Sequence, residues 1–142
     1  MDRLEDVLRA GESSDDLVLL LRGGEDTNAK LLRQAALFER RYTYGGQRAR
    51  GISVFGGSSA LDELAVLESK LRTYPKYRRV GSAELAEIAV LLPTFQAPHW
   101  TVLFQPPGGV RRPEEELLSD LLDILGPVLE NPSHVPDRSR RR

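Results

Sequence analysis

Twice in this chain a short apolar run closed by a glycine pair leads at once into a capped segment with helical spacing. Leu17 to Arg22 ends on Gly23-Gly24, and Asp26 or Thr27 can then cap a helix reaching Tyr42. Its apolar positions Leu31, Leu32, Ala35, Ala36 and Phe38 return with a helical period. Gly51 to Phe55 ends on Gly56-Gly57, and Ser59 with Asp62 forms a capping box for a helix carrying Leu61, Leu64, Leu67 and Leu71. Pro75 stops that helix by forcing Tyr74 out of the α region. Strands followed by amphipathic helices bury their apolar faces against one another in layers, so the pattern predicts an α+β domain.

The remainder adds elements without fixing their order. Tyr77 to Val80 reads as extended, and Ser82, Glu84 and Leu85 open a brief helix to about Ala89. Pro93 and Pro98 bracket an irregular link before a strand from Trp100 to Gln105. After Pro106-Pro107-Gly108-Gly109, Pro113 opens a long C-terminal helix with a stripe of Leu118, Leu121, Leu122, Leu125 and Leu129. Gly126-Pro127 ends or kinks that helix. The expectation is a small mixed sheet of four to five strands with packed helices. Residues 1–16 form a loosely attached lead-in, 17–130 one globular domain, and 131–142 a disordered basic tail.

Composition narrows the function classes. At 142 residues and 40% hydrophobic, the chain can bury a core without staples. It has no cysteine, which removes disulfides, thiolate metal sites and cysteine nucleophiles, and neither a metal nor a cofactor is expected. Its longest apolar runs, Leu17–Leu21 and Ile88–Leu92, fall far below the roughly 20 residues of a membrane helix. Met1 to Ala10 alternates charge with leucine rather than forming a secretion signal, so the expected location is the cytoplasm.

Net charge is only −1, yet Arg40 to Arg79 holds nine basic residues against three acidic ones. Arg40, Arg41, Arg48 and Arg50 stand beside Tyr42 and Tyr44. Arginine with aromatic rings is how proteins grip phosphates and stack bases, which makes Tyr44 and these four arginines candidate phosphate or nucleic-acid contacts. The competing reading is a solvated charged face.

Three further residues are candidates for chemistry. Arg22 ends a strand just before glycine backbone N–H groups, an arrangement able to hold a phosphate or carboxylate. His99 is the only histidine outside the presumed tail and so the sole side chain suited to acid–base work near neutral pH. The string His99-Trp100-Thr101 resembles half of the paired motif of the two-histidine phosphoesterases; the second string is absent, since His134 is followed by Val135-Pro136.

The order Arg22, Ser53 and a later glutamate such as Glu84 or Glu87 resembles the Arg–Ser–Glu pattern of ADP-ribosyltransferase-like toxins. That resemblance implies an arginine on the dinucleotide phosphates and a serine shaping the nicotinamide side. The chain has no Ser-Thr-Ser string and no Glu-x-Glu or Gln-x-Glu turn, so the carry-over stops at Arg22 and Ser53. Through LLLRGGEDT at 19–27, GISVF at 51–55 and LLPTFQAPHWTV at 91–102, the chain also resembles a group of small actinobacterial proteins without an assigned activity.

Two functions follow as expectations. One is a non-catalytic interaction or regulatory module, such as a toxin–antitoxin accessory protein, docking a protein partner or a second copy through Leu118, Leu122 and Leu129. The other is a toxin-like enzyme acting on a nucleotide or RNA through Arg22 and the arginines at 40–50, with Ser53 or His99 near the chemistry.

Overall fold

The computed structural model describes residues 1–25, 27–104 and 114–135, and the architecture is α+β. Among the described residues nine strands and four α-helices follow in order: β1 (Asp2–Arg3), β2 (Leu19–Gly23), α1 (Asn28–Arg41), β3 (Tyr42–Tyr44), β4 (Gln47–Arg48), β5 (Gly51–Gly57), α2 (Ala60–Ser69), β6 (Lys76–Gly81), α3 (Ser82–Ala86), β7 (Val90–Pro93), β8 (His99–Leu103), α4 (Glu114–Ile124) and β9 (Leu129–Glu130). Six strands make a sheet in the order β7-β8-β5-β2-β6-β9, and β1-β3-β4 make a second of three. Every pairing in the large sheet is antiparallel, whereas the small one joins β1 and β3 in parallel.

The main sheet is therefore larger than the four to five strands expected, because two segments not read as strands belong to it. Val90–Pro93, which the reading left between the brief helix and the link, pairs with β8, and Leu129, placed on the C-terminal helix, belongs to β9 beside Tyr77 of β6. Gly45 and Gly46, with φ of 61° and 78°, form the turn that joins β3 to β4, which pair with each other in the small sheet. The C-terminal helix is 11 residues rather than long, and Pro113 with the break at 106–109 lies outside the described residues.

Local chemistry explains the helix starts. Thr27 Oγ1 accepts from the Lys30 amide at 3.2 Å, capping α1, while Asp26 lies outside the described residues. Ser59 Oγ accepts from the Asp62 amide at 3.2 Å, and Asp62 Oδ2 returns to the Ser58 amide at 2.9 Å. Arg78 Nε donates to the Gly126 carbonyl at 2.9 Å, just past the end of α4, where a cation meets the negative end of the helix dipole.

Alternation along the strands divides the core in two. Leu20, Ile52, Val54, Val80, Trp100 and Val102 form one group with Leu31 and Ala35 of α1, Leu85 of α3, and Leu118, Leu121 and Leu125 of α4. Leu21 and Tyr77 join Val66, Leu67 and Leu71 at the other side. On α2 the expected stripe is only half right: Leu61 is 78% exposed and Leu64 41%. The inward arc is centred on Glu63, Val66 and Leu67, and Glu63 binds Arg79 at 2.8 Å and the Tyr77 hydroxyl at 3.0 Å.

The lead-in is packed rather than loose. Leu4 is fully buried with Ala49, Leu92 and Leu103, and Val7 and Leu8 pack against them. Backbone bonds from Phe95 to Val7 (2.8 Å) and from Arg9 to Pro93 (2.8 Å) lay this segment along the outer edge of β7. The end of an edge strand and the residues just after it are thereby covered. Of the presumed tail, 131–135 is held too, with Asn131 donating through Nδ2 to the Leu71 and Tyr74 carbonyls at 3.0 and 3.1 Å. Residues 136–142 lie outside the described residues.

Candidate functional site

Strands β2 and β5 pair only from Leu19–Gly57 to Leu21–Phe55. Beyond that point Arg22 bridges them with its side chain, donating through Nη1 to the Ser53 carbonyl at 2.6 Å and through Nη2 to Gln34 of α1. Arg22 is 7% exposed, so these charge-assisted bonds satisfy a cation that burial would otherwise penalise. The Ser53 side chain itself is exposed.

The parting of the strands opens a cleft of about 440 Å³. Gln34, Phe38 and Arg41, at helical spacing, form its wall on α1; Lys70, Leu71 and Tyr74 close it after α2. Its described lining contains three charged residues, Arg22, Arg41 and Lys70, all basic, and four aromatic rings, Phe38, Tyr42, Phe55 and Tyr74. The Tyr74 ring lies directly on Gly23, where a Cβ would come within 2.5 Å of it. Gly23 thus permits the close approach of this ring, and its backbone angle is not one that calls for glycine.

Of the sequence candidates, Arg22 and Ser53 are brought together and Arg41 joins them. Arg41 Nε lies 3.4 Å from Asp2, with its guanidinium 5.3 Å from the Tyr42 ring centre. Arg50 is turned to Glu39 at 3.3 Å, and Tyr44 is half-buried against the Leu4 group. Arg40 and Arg48 are exposed. Residues that the sequence reading did not single out, Gln34, Lys70 and Tyr74, complete the walls. The only early signal was the Gln34–Phe38–Arg41 spacing and the place of Lys70 and Tyr74 in the basic, tyrosine-bearing middle.

His99 sits apart, on β8 opposite Phe55, its ring edge-on to Phe55 and Phe95 at 5.6 and 5.0 Å. Nδ1 meets Thr94 Oγ1 at 3.0 Å, which in turn meets Thr101 Oγ1 at 2.7 Å, and both threonines are fully buried. Burial holds the imidazole below its ordinary pKa, and Arg9 and Lys70 push the same way against a bond to the Thr94 backbone. Arg9 Nη1 donates to the Thr94 and His99 carbonyls, both at 2.6 Å. His99 is not part of the cleft lining, which among the described residues has no histidine and no carboxylate.

Leu118 is 2% exposed in the main core, Leu122 packs against that core, and Leu129 packs beside Tyr77. The leucine stripe is thus covered by the chain's own sheet and helices. Glu84 lies against Gly81 and lines a depression with Leu19, at the opposite end of β2 from Arg22. Among the described residues no helix is long and apolar enough to cross a membrane, and no group of three or more His, Asp or Glu is placed to hold a metal.

No protein-family model, no curated protein and no solved structure matches this chain.

Proposed function

We propose that the protein is a non-catalytic regulatory module of the cytoplasm that binds a nucleotide in the cleft between α1 and α2. The observation that carries this reading is the convergence of Arg22, Arg41 and Lys70 with four aromatic rings and no carboxylate in the described lining. Cations in a partly dehydrated cleft suit phosphates, and flat rings suit a base. The order by which the chain resembles ADP-ribosyltransferase-like toxins brings Arg22 to the Ser53 backbone carbonyl, not to its hydroxyl. A transferase would further need a carboxylate at the acceptor side, and Glu84 stands at the far end of β2. Binding without catalysis is the reading that uses the residues present.

Titration calorimetry with ADP at low salt tests it on three proteins: wild type, Lys70→Glu, and Ser53→Trp. Lys70 and Ser53 are exposed, so both variants should keep the fold. Saturable binding to wild type should weaken about tenfold or more in Lys70→Glu, the worth of one charge-assisted contact, and be blocked in Ser53→Trp. Absence of binding, or binding indifferent to both substitutions, would refute the cleft as a nucleotide site.

A further inference from the structure

Two sets stand out among the described basic residues, beside Arg3 and Arg9, which pair with Glu5 and Glu12, and Arg22 and Arg78, which donate to backbone carbonyls. Arg41, Arg50, Lys76 and Arg79 each hold a carboxylate, on Asp2, Glu39, Glu25 and Glu63. Arg33, Arg40, Arg48, Lys70 and Arg72 are exposed and join no ion pair among the described residues. Of the second set, Lys70 lines the cleft, and Arg33, Arg40 and Arg72 adjoin lining residues along the chain. Arg33 and Arg40 are seven residues apart on α1, about 10 Å along its axis. They border the Gln34–Phe38–Arg41 face that forms the cleft wall, with Leu37 of the lining between them. Lys70 is in the opposite wall, and Arg72 follows Leu71 of the same wall.

A free mononucleotide would fill the cleft and leave Arg33 and Arg40 outside it. A strand longer than one nucleotide would not. We infer that the ligand is single-stranded nucleic acid, one nucleotide seated in the cleft and the neighbouring phosphates running along the outer edge of α1 over Arg40 and Arg33. This rests on the cleft being a nucleotide site. Single strands are held by a basic track combined with rings that accept any base, and the rim and lining provide those two parts. Duplex does not fit, because a paired base cannot enter the cleft without leaving its stack.

The test compares AMP, a short single-stranded RNA, its DNA counterpart and the same RNA as duplex, on wild type and on Arg33→Glu/Arg40→Glu. Both arginines are exposed, and the variant's melting profile checks its fold. The single-stranded RNA or DNA should bind at least about tenfold tighter than AMP, with affinity falling steeply as salt rises. The double variant should lose that advantage and flatten the salt slope by about 1.4, two phosphates at roughly 0.7 each for single strands, while AMP binding stays within twofold. RNA against DNA shows which backbone is the source. AMP binding with no gain for the oligomers overturns this inference and leaves the cleft reading standing. An oligomer advantage that survives the double variant, or a preference for duplex, also overturns it. Failure of both AMP and oligomers removes the cleft reading and this one together.

Discussion

Arg22 Nη1 donates to the Ser53 carbonyl at 2.6 Å where β2 and β5 stop pairing, so a side chain replaces the next rung of the backbone ladder. The same guanidinium reaches Gln34 on α1 and thereby fixes the helix over the gap. Cleft geometry and local stability consequently depend on one residue. Arg22→Met should cost about 1–3 kcal/mol, because it strands a carbonyl and an amide oxygen in a poorly hydrated place. Urea unfolding reads that loss; an unchanged midpoint would mean that the bridge is energetically idle.

Gly56 is packed from both sides, with a Cβ placed there falling 2.7 Å from Leu17 Cδ2 and 2.9 Å from the Trp100 ring. Gly56→Ala should therefore destabilise by about 1–3 kcal/mol, the usual cost of overpacking. Gly23→Ala meets only the Tyr74 ring, which is 41% exposed and can swing away. Its effect should fall on ADP affinity more than on the unfolding midpoint. Thermal melts of the two variants beside ADP titrations separate the cases, and equal losses of stability would contradict this assignment.

The leucines of α4 pack into the chain's own core. Leu121→Ala should cost about 2–5 kcal/mol as a buried large-to-small change, and leave the mass by light scattering unchanged. A change of oligomeric state at unaltered stability would restore the helix as a docking face.

His99 ties stability to pH in a definite direction. Burial lowers its folded pKa below the ordinary value of 6.5, so the unfolded chain binds the proton more readily. Stability is full above the unfolded pKa and is lost as pH falls from about 6.5 toward the lowered folded value. Below that lowered value the contribution of His99 levels off. His99→Gln should flatten the dependence between pH 7.5 and 5.5, above most carboxylate titration. A wild-type curve already flat in this window, or one unchanged by the substitution, would remove His99 as its origin.

Much of the scaffold was legible in the sequence because its signals are local. The Ser59 cap, and Thr27 of the two cap candidates, read out where the pattern put them, whereas Gly23 and the Gly56-Gly57 pair, expected to close the strands, are part of β2 and β5. What escaped depends on long-range pairing. Val90–Pro93 is apolar throughout, and such a run does not distinguish a strand from a buried helix end. Leu129 continued the leucine period of α4 and yet pairs with Tyr77, since Gly126-Pro127 had already ended the helix. Leu61 matched the stripe of α2 while facing out, because the helix buries Val66 and Leu67 instead, with Glu63 bound to Arg79. At the cleft, Arg22 and Ser53 were visible singly, but nothing in the chain's order indicates that Lys70 and Tyr74 close the space above them.

Titration of the isotope-labelled protein with ADP, followed by amide NMR, tests the central claim most directly. The account predicts saturable shifts concentrated at Gly23, at Gly51 to Phe55, at Gln34 to Tyr42 and at Lys70 to Tyr74, the elements that bound the cleft. Shifts confined to other surfaces, or none at all, would contradict it.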